Sequence, residues 1–336
     1  MGAIINNINE NDLLALAADK LKQMTGIAYT IKPGNNAIDA YLIIGFPGDP
    51  KTEFAVEIKR NPAMVVAHEM AAMANPHLLA TYYVNPRLAE RLKNLGVPYI
   101  DCAGNAYINT KAIFVYVKGN KPEKKENIQL ARLFKPGGLQ VLFVLLCNPD
   151  FIKAPYRELA IKAGVALGTV AWAMKEMQKQ GFIIDIGNNV YRLVKRETLL
   201  RLWLIGYEQA LRPRQLVKRY HAEKHDWWMN AKPGRALWGG EVAAYKMTGY
   251  LKPETVTLYA AKLTDPLIFE NRLRPDPNGE IELVEPFWNF EYPEIKENLA
   301  PPLCVYADLM IRADGRTTET AKMIYEKYID RYINKN

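Results

Sequence analysis

Apolar positions recur with two different periods along this chain of 336 residues, and the switches between them mark its elements. Leu14, Ala17, Leu21 and Met24 stand three and four apart, the spacing of one helix face, with Asn9 ahead of them as a cap. Three strand patterns follow at 27–31, 37–46 and 54–59. After them come a helix at 62–74, a strand at 78–84, a helix at 86–95 and a short strand at 98–101. Residues 119–135 are polar and charged, as a solvated linker should be. Helical periodicity returns at 139–146 and again at 156–163, where Gly164 supplies a stop. A third helix is expected at 168–180, turning Val170, Met174 and Met177 inward. The run FIIDIGNNVYRLV then reads as two strands around Gly187-Asn188-Asn189, residues that accept the positive φ of a tight turn. Leu199, Leu202, Trp203 and Tyr207 predict a helix over 196–220. The remainder predicts helices at 240–248 and 317–333 with strands at 255–260, 280–284 and 303–306.

An α/β multidomain chain is therefore expected, with domains at 1–118, 136–235 and 236–336. Three helices closed by a hairpin are the order of a winged helix-turn-helix, here central in the chain, and its ligand is duplex DNA. The third helix would present Thr169, Trp172, Lys175, Gln178 and Lys179, and the hairpin would be the wing, with Asn188 at its tip. Charge supports this reading over mere helical packing. Residues 153–235 hold sixteen Lys and Arg against seven Asp and Glu, while the whole chain carries a net +8, so the excess sits in this segment. Phosphates reward such clustering because each one neutralised releases counterions. The expected DNA contacts are Thr169, Trp172, Lys175, Lys179, Asn188, Arg192, Lys195, Arg196, Arg212, Arg214, Lys218 and Arg219.

The amino-terminal order αβββαβ is similar to the PD-(D/E)XK, restriction-endonuclease-like core. In Phe54-Ala55-Val56-Glu57-Ile58-Lys59, alternation sends Glu57 and Lys59 to the face opposite Phe54, Val56 and Ile58. Asp39 lies on the preceding strand. Asp39 and Glu57 could hold Mg²⁺ while Lys59 orients or deprotonates an attacking water, with Asp12 as an outer carboxylate. The tripeptide alone is weak, because Glu294-Ile295-Lys296 repeats it in a Pro-flanked loop. An inert scaffold of the same shape is the alternative.

Composition narrows the setting. The longest apolar run, 139–147, falls far short of the ~20 residues a bilayer span needs. The opening MGAIINNINENDLL lacks a basic segment followed by an apolar one, so a cytoplasmic protein without membrane contact is expected. Cys102, Cys147 and Cys304 have no CxxC spacing, which argues against a Cys-based metal site. His221 and His225 could share a helical face, but no third ligand accompanies them. Gly239-Gly240 before a helix is a weak phosphate signal and a tight turn by default. Asp308, Asp314 and Arg316 read as capping and surface pairs.

Several blocks together resemble one family: YIDCAGNAY, LQVLFVLL, PYRELAIKAGVALGTV, WGGEVAA and VYADLMIRADGRTTETAKMIYEKYI. They are similar to the AbiEi-type antitoxins and transcriptional regulators of type IV toxin–antitoxin systems. The resemblance implies a winged-helix repressor of its own promoter that needs no cofactor to bind DNA. It also implies a toxin-neutralising activity in the carboxyl-terminal part and a functional pairing with a nucleotidyltransferase-like toxin, with a homodimer in keeping. Family members of the best-known kind begin with the winged helix, whereas here it is central. Three functions thus compete: a DNA-binding regulator, a Mg²⁺-dependent nuclease aimed by its winged helix, and a non-catalytic interaction scaffold.

Overall fold

The computed structural model of the chain describes residues 10–35, 38–60, 62–73, 77–122, 132–187, 190–215, 217–292, 298–312 and 315–334. Chain contacts divide it into two units, Met1–Gln129 and Leu130–Asn336. The first unit runs α1 (Glu10–Thr25), β1 (Ala28–Asn35), β2 (Ile38–Gly45), β3 (Thr52–Ile58), α2 (Met64–Ala71), β4 (His77–Thr81), α3 (Pro86–Asn94), β5 (Tyr99–Asp101), β6 (Ala106–Asn109) and β7 (Phe114–Val117). Its sheet keeps that order, β1 to β7, with parallel pairing only at β3–β4 and β4–β5. The expected alternation in β3 is observed: Phe54, Val56 and Ile58 are buried, and Ala55 and Glu57 are not. They meet Leu14, Ala17 and Leu21 of α1 in one apolar core. Burying each large side chain there contributes roughly 1.5–3 kcal/mol.

Two details of this unit differ from the sequence pattern. Met24 is 49% exposed rather than part of the inner stripe, which continues instead through Leu13 and Ala18. Strands β6 and β7 were not predicted. They are four residues each, too short for alternation to stand out from the surrounding turn residues. Asn9 lies outside the described residues, as does the side chain of Asp12.

The second unit is built around α4 (Pro136–Cys147), whose residues from Gly138 to Cys147 are nearly all buried. Against it pack α5 (Tyr156–Ala163), α6 (Leu167–Lys179) and α7 (Arg196–Gly206), with the hairpin β8 (Ile183–Asp185) and β9 (Tyr191–Leu193) between the last two. Phe143 stacks on Trp203 at 5.4 Å, and the Trp203 indole N–H donates to the Leu139 carbonyl at 2.9 Å. Gly206 allows this closeness, since a Cβ there would sit 2.7 Å from a Leu139 methyl.

The chain then adds β10 (Val217–His221), β11 (Leu237–Gly239), α8 (Gly240–Thr248), β12 (Val256–Tyr259), α9 (Asp265–Glu270), β13 (Arg274–Pro275), β14 (Ile281–Val284), α10 (Pro302–Arg312), α11 (Gly315–Ile324) and α12 (Asp330–Ile333). The sheet order is β11-β12-β14-β10-β13.

Three expectations are corrected here. The helix predicted over 196–220 ends early: Tyr207–Leu211 is a π-helical turn, Pro213 lacks the N–H a helix needs, and β10 follows. Strand β10 pairs with β14, so a domain boundary at 235 would cut a sheet, and His221 ends a strand rather than sharing a helical face with His225. Residues 303–306 are helical within α10, because a short apolar run fits a buried helix as well as a strand and Pro302 suits a helix start.

Candidate nucleic-acid interface

Helices α5 and α6 meet at a tight turn fixed by Gly164, whose φ of 62° is left-handed and lies in the region only glycine enters freely. The Val165 N–H bonds back to the Ala160 carbonyl at 3.0 Å, closing the end of α5. Helix α6 starts two residues later. Val170, Ala173, Met174 and Met177 are buried, so the helix is anchored along one stripe. Leu167, Gly168, Ala171, Lys175, Gln178 and Lys179 are exposed.

The outward face is thus rotated from the one expected. Thr169 and Trp172 are only half-exposed. The Thr169 methyl lies 3.1 Å from where a Cβ on Gly137 would be, and the Arg132 guanidinium covers the Trp172 ring at 4.3 Å. That cation–π contact occupies a side chain expected to face bases.

In the hairpin, Ile183 pairs with Leu193 and both are buried. Opposite residues of an antiparallel pair share a face, so the other face carries Ile184, Ile186, Val190 and Arg192. All four are exposed. Asn188 lies outside the described residues. Lys195 is exposed in a left-handed conformation, φ 51°, and its ammonium lies beside Gly181 at the carboxyl end of α6. Lys175, Lys179, Arg192 and Lys195 therefore present charge to solvent around α6 and the hairpin.

The remaining basic residues divide. Arg214 and Lys218 are exposed. Arg196 donates to the Tyr332 carbonyl at 2.6 Å. Arg212 is turned inward, with Glu282 at 2.9 Å and Asp308 at 3.6 Å, and Arg219 pairs with the same Glu282. Burial opposes the Arg212 charge, but Asp308, the neighbouring tyrosine oxygens and Glu282 outweigh it and hold the guanidinium protonated more firmly than usual.

Asp308 belongs to a polar lock that the sequence pattern did not reveal. It sits buried in α10, not at a helix cap, and accepts the hydroxyls of Tyr207 at 2.8 Å and Tyr259 at 2.7 Å. The Cys304 thiol donates to the Tyr259 oxygen at 3.3 Å. Burial, then the Asp308 charge, raises both tyrosines and Cys304 well above their ordinary pKa values, so all three stay protonated as donors. The visible signal was Asp308 itself, an acidic residue inside the apolar helical stretch VYADLM. Arg316 pairs with Glu254 at 2.8 Å, and Asp314 lies outside the described residues.

The WGGE block is also structural. Glu241 is buried, accepting from the Glu254 N–H at 2.7 Å and from Arg312 at 2.8 Å. A Cβ on Gly239 would fall 2.5 Å from the Tyr259 ring, and one on Gly240 2.7 Å from the Thr257 hydroxyl. Both glycines are explained by packing on β12.

In the first unit, Asp39 on β2 and Glu57 on β3 occupy neighbouring strands, paired in register through Ala40 and Val56. The Asp39 Oδ2 accepts the Ile58 N–H at 2.7 Å, and Glu57 pairs with Lys59 at 2.6 Å. One oxygen of each carboxylate is thus engaged within the protein. Among the described residues no group of three His, Cys, Asp or Glu side chains gathers as a metal site. The pair suits at most a Mg²⁺ ion that keeps most of its water. Glu294-Ile295-Lys296, the second copy of the tripeptide, lies outside the described residues.

No helix among the described residues is long and apolar enough to cross a membrane. A family model described as transcriptional regulator, AbiEi antitoxin, type IV toxin–antitoxin system matches residues 192–330. That match runs from within β9 through α7 and the α/β part that follows to the start of α12, and includes the Tyr207, Tyr259 and Asp308 lock. No curated protein and no solved structure matches the chain.

Proposed function

We propose that the chain is a DNA-binding transcriptional regulator, an autoregulatory antitoxin that uses α4–α6 and the β8–β9 hairpin as a winged helix-turn-helix. One observation carries this reading: α6 leaves a tight turn anchored by one apolar stripe and presents Lys175, Gln178 and Lys179 to solvent, with Arg192 and Lys195 exposed on and beside the hairpin that follows. A helix held in this way can lie in a major groove while neighbouring cations neutralise phosphates. The match of residues 192–330 to an antitoxin and regulator family supports the regulatory role, with the α/β part from β10 onward as the part that neutralises a nucleotidyltransferase-like toxin. In this reading Arg212, Arg219 and Arg196 hold the fold together, and Arg214 and Lys218 are secondary phosphate contacts.

The test is binding to DNA from upstream of the protein's own gene across a salt series, with and without Mg²⁺. Affinity should fall steeply with salt and be indifferent to Mg²⁺. Affinity independent of salt, or no binding to duplex DNA, overturns the reading.

A second reading has one observation of its own: Asp39 and Glu57 lie on adjacent registered strands with Lys59 beside Glu57, as a PD-(D/E)XK metal site would have them. Mg²⁺ there would activate water. Cleavage of duplex DNA that depends on Mg²⁺ and is lost in Asp39→Ala and Glu57→Ala would bring this reading forward.

A further inference from the structure

We infer that the DNA-reading surface selects A·T-rich sequence through apolar contact with thymine methyl groups, Leu167 and Ala171 of α6 being the side chains that make it. The inference rests on the DNA-binding reading above and adds what that surface recognises.

Hydrogen-bonding readout of bases needs side chains with paired donors and acceptors, chiefly Arg on guanine and Asn or Gln on adenine. The amino-terminal half of the outward face of α6 has none. Leu167, Gly168 and Ala171 form it, and Leu167 is 49% exposed. In a helix-turn-helix this is the end that enters the groove and meets base edges. Only one major-groove group is complementary to a leucine and an alanine methyl: the C5-methyl of thymine. Gln178, the one exposed amide of the helix, lies three turns farther on, among the lysines.

The hairpin repeats the pattern. Its outer face exposes Ile184 (42%), Ile186 (49%) and Val190 (40%), with Arg192 opposite Ile184. Three neighbouring β-branched side chains in water are a surface built for contact rather than scattered exposure. Charge decides between duplex DNA and a protein partner or second copy. Lys175, Lys179, Arg192 and Lys195 are exposed around the two apolar strips. The one carboxylate of α6, Glu176, is bonded to Gln180 at 2.7 Å, and Asp185 of the hairpin caps the Gly187 N–H at 2.8 Å. A polyanion fits this frame, and a like-charged copy of the same surface does not.

The experiment compares binding of the full chain to its own upstream DNA prepared with thymine or with deoxyuridine, which lacks only the methyl. Removing a buried methyl costs about a fourfold loss of affinity, so two or more contacts should give a loss on the order of tenfold or greater. Leu167→Ala should weaken binding to the thymine duplex and reduce the difference between the two duplexes. Its thermal denaturation midpoint should match wild type, because Leu167 is 49% exposed, which shows that the unit still folds. Salt-dependent binding with equal affinity for both duplexes overturns this inference and leaves the DNA-binding reading intact. The same holds if Leu167→Ala keeps the full difference. Absence of duplex binding by wild type removes both.

Discussion

Two groups of cations in the second unit look alike in composition and differ in what surrounds them. Lys175, Lys179, Arg192 and Lys195 project into water around α6 and the hairpin. Arg196, Arg212 and Arg219, close by in sequence, point at acceptors of the same chain: the Tyr332 carbonyl, Glu282 and Asp308. A count of basic residues gives the two groups equal weight as phosphate ligands. The structure separates them: Arg212 and Arg219 face carboxylates that already match their charge, and Arg196 is turned to a backbone carbonyl of its own chain.

The largest effect that separates the groups should come from Arg212. Its side chain is 18% exposed and it is the cation facing both Glu282 and Asp308. Arg212→Ala leaves buried carboxylate charge without its guanidinium, which typically costs ~3–5 kcal/mol. Chemical denaturation should show that loss, and Asp308→Asn should show a smaller one, since the amide can still accept from Tyr207 or Tyr259. An Arg212→Ala protein as stable as wild type but deficient in DNA binding would place Arg212 with the exposed group instead.

The first unit supplies a cation of a third kind, one whose neighbour must stay neutral. The Arg91 guanidinium lies 3.2 Å from the His68 ring, and burial, followed by that charge, pushes the His68 pKa down to about 4. The folded state therefore resists a proton that the unfolded chain takes up near 6.5. Stability is full above about pH 6.5, falls as pH drops through the window to about 4, and levels off below it. Allowing for solvent screening of a half-buried ring, the loss should be about 2 kcal/mol. Denaturation of His68→Gln across this range should show a flatter profile, and an unchanged profile would reassign the acid sensitivity.

The difference between these environments explains what the sequence could tell. Periodicity located α5, α8 and the buried stripe of α6 because each rests on spacing within one element. The turn at Gly164 and the hairpin around Gly187 were legible for the same reason. Thr169 and Trp172 were placed outward because a helical wheel gives directions and not neighbours: Gly137 and Arg132 arrive from residues more than thirty positions earlier. The Asp308 lock brings Tyr207 and Tyr259 from two other elements to α10, which carries Asp308 and Cys304, and no local pattern reports such a meeting. In the first unit Asp39 and Glu57 were rightly set on neighbouring strands, while the bond from the Ile58 N–H to Asp39 depends on a register that sequence does not print.

Among the exposed cations, Lys175 and Lys179 give the next effect. Each neutralised phosphate contributes about −0.9 to the slope of log affinity against log salt. Lys175→Ala and Lys179→Ala should each make that slope shallower by about one where the lysine touches a phosphate. Binding should weaken alike for the upstream DNA and for unrelated duplex. Thermal or chemical stability should change by less than about 0.5 kcal/mol, since neither lysine is buried. An unchanged slope in both variants would remove α6 from the phosphate-contacting surface.

The smallest effect is the sharpest discriminator, and it comes from Arg219. This side chain is 40% exposed, carries the same formal charge as Lys175, and lies in the densest basic stretch of the sequence. Charge counting predicts that Arg219→Ala should weaken DNA binding as much as Lys175→Ala. The structure predicts otherwise. Arg219 faces Glu282, and when it is removed Arg212 still holds that carboxylate at 2.9 Å, so no buried charge is left uncompensated. Exposed pairs of this kind contribute no more than ~1 kcal/mol. Arg219→Ala should therefore lower stability by less than that and leave the salt slope unchanged within error, although the protein has lost one positive charge. Titrations of Arg219→Ala and Lys175→Ala on the same duplex over the same salt series make the comparison direct. Equal flattening of both slopes would show that net charge, rather than the availability of each cation, governs binding, and the division between the two groups would fail.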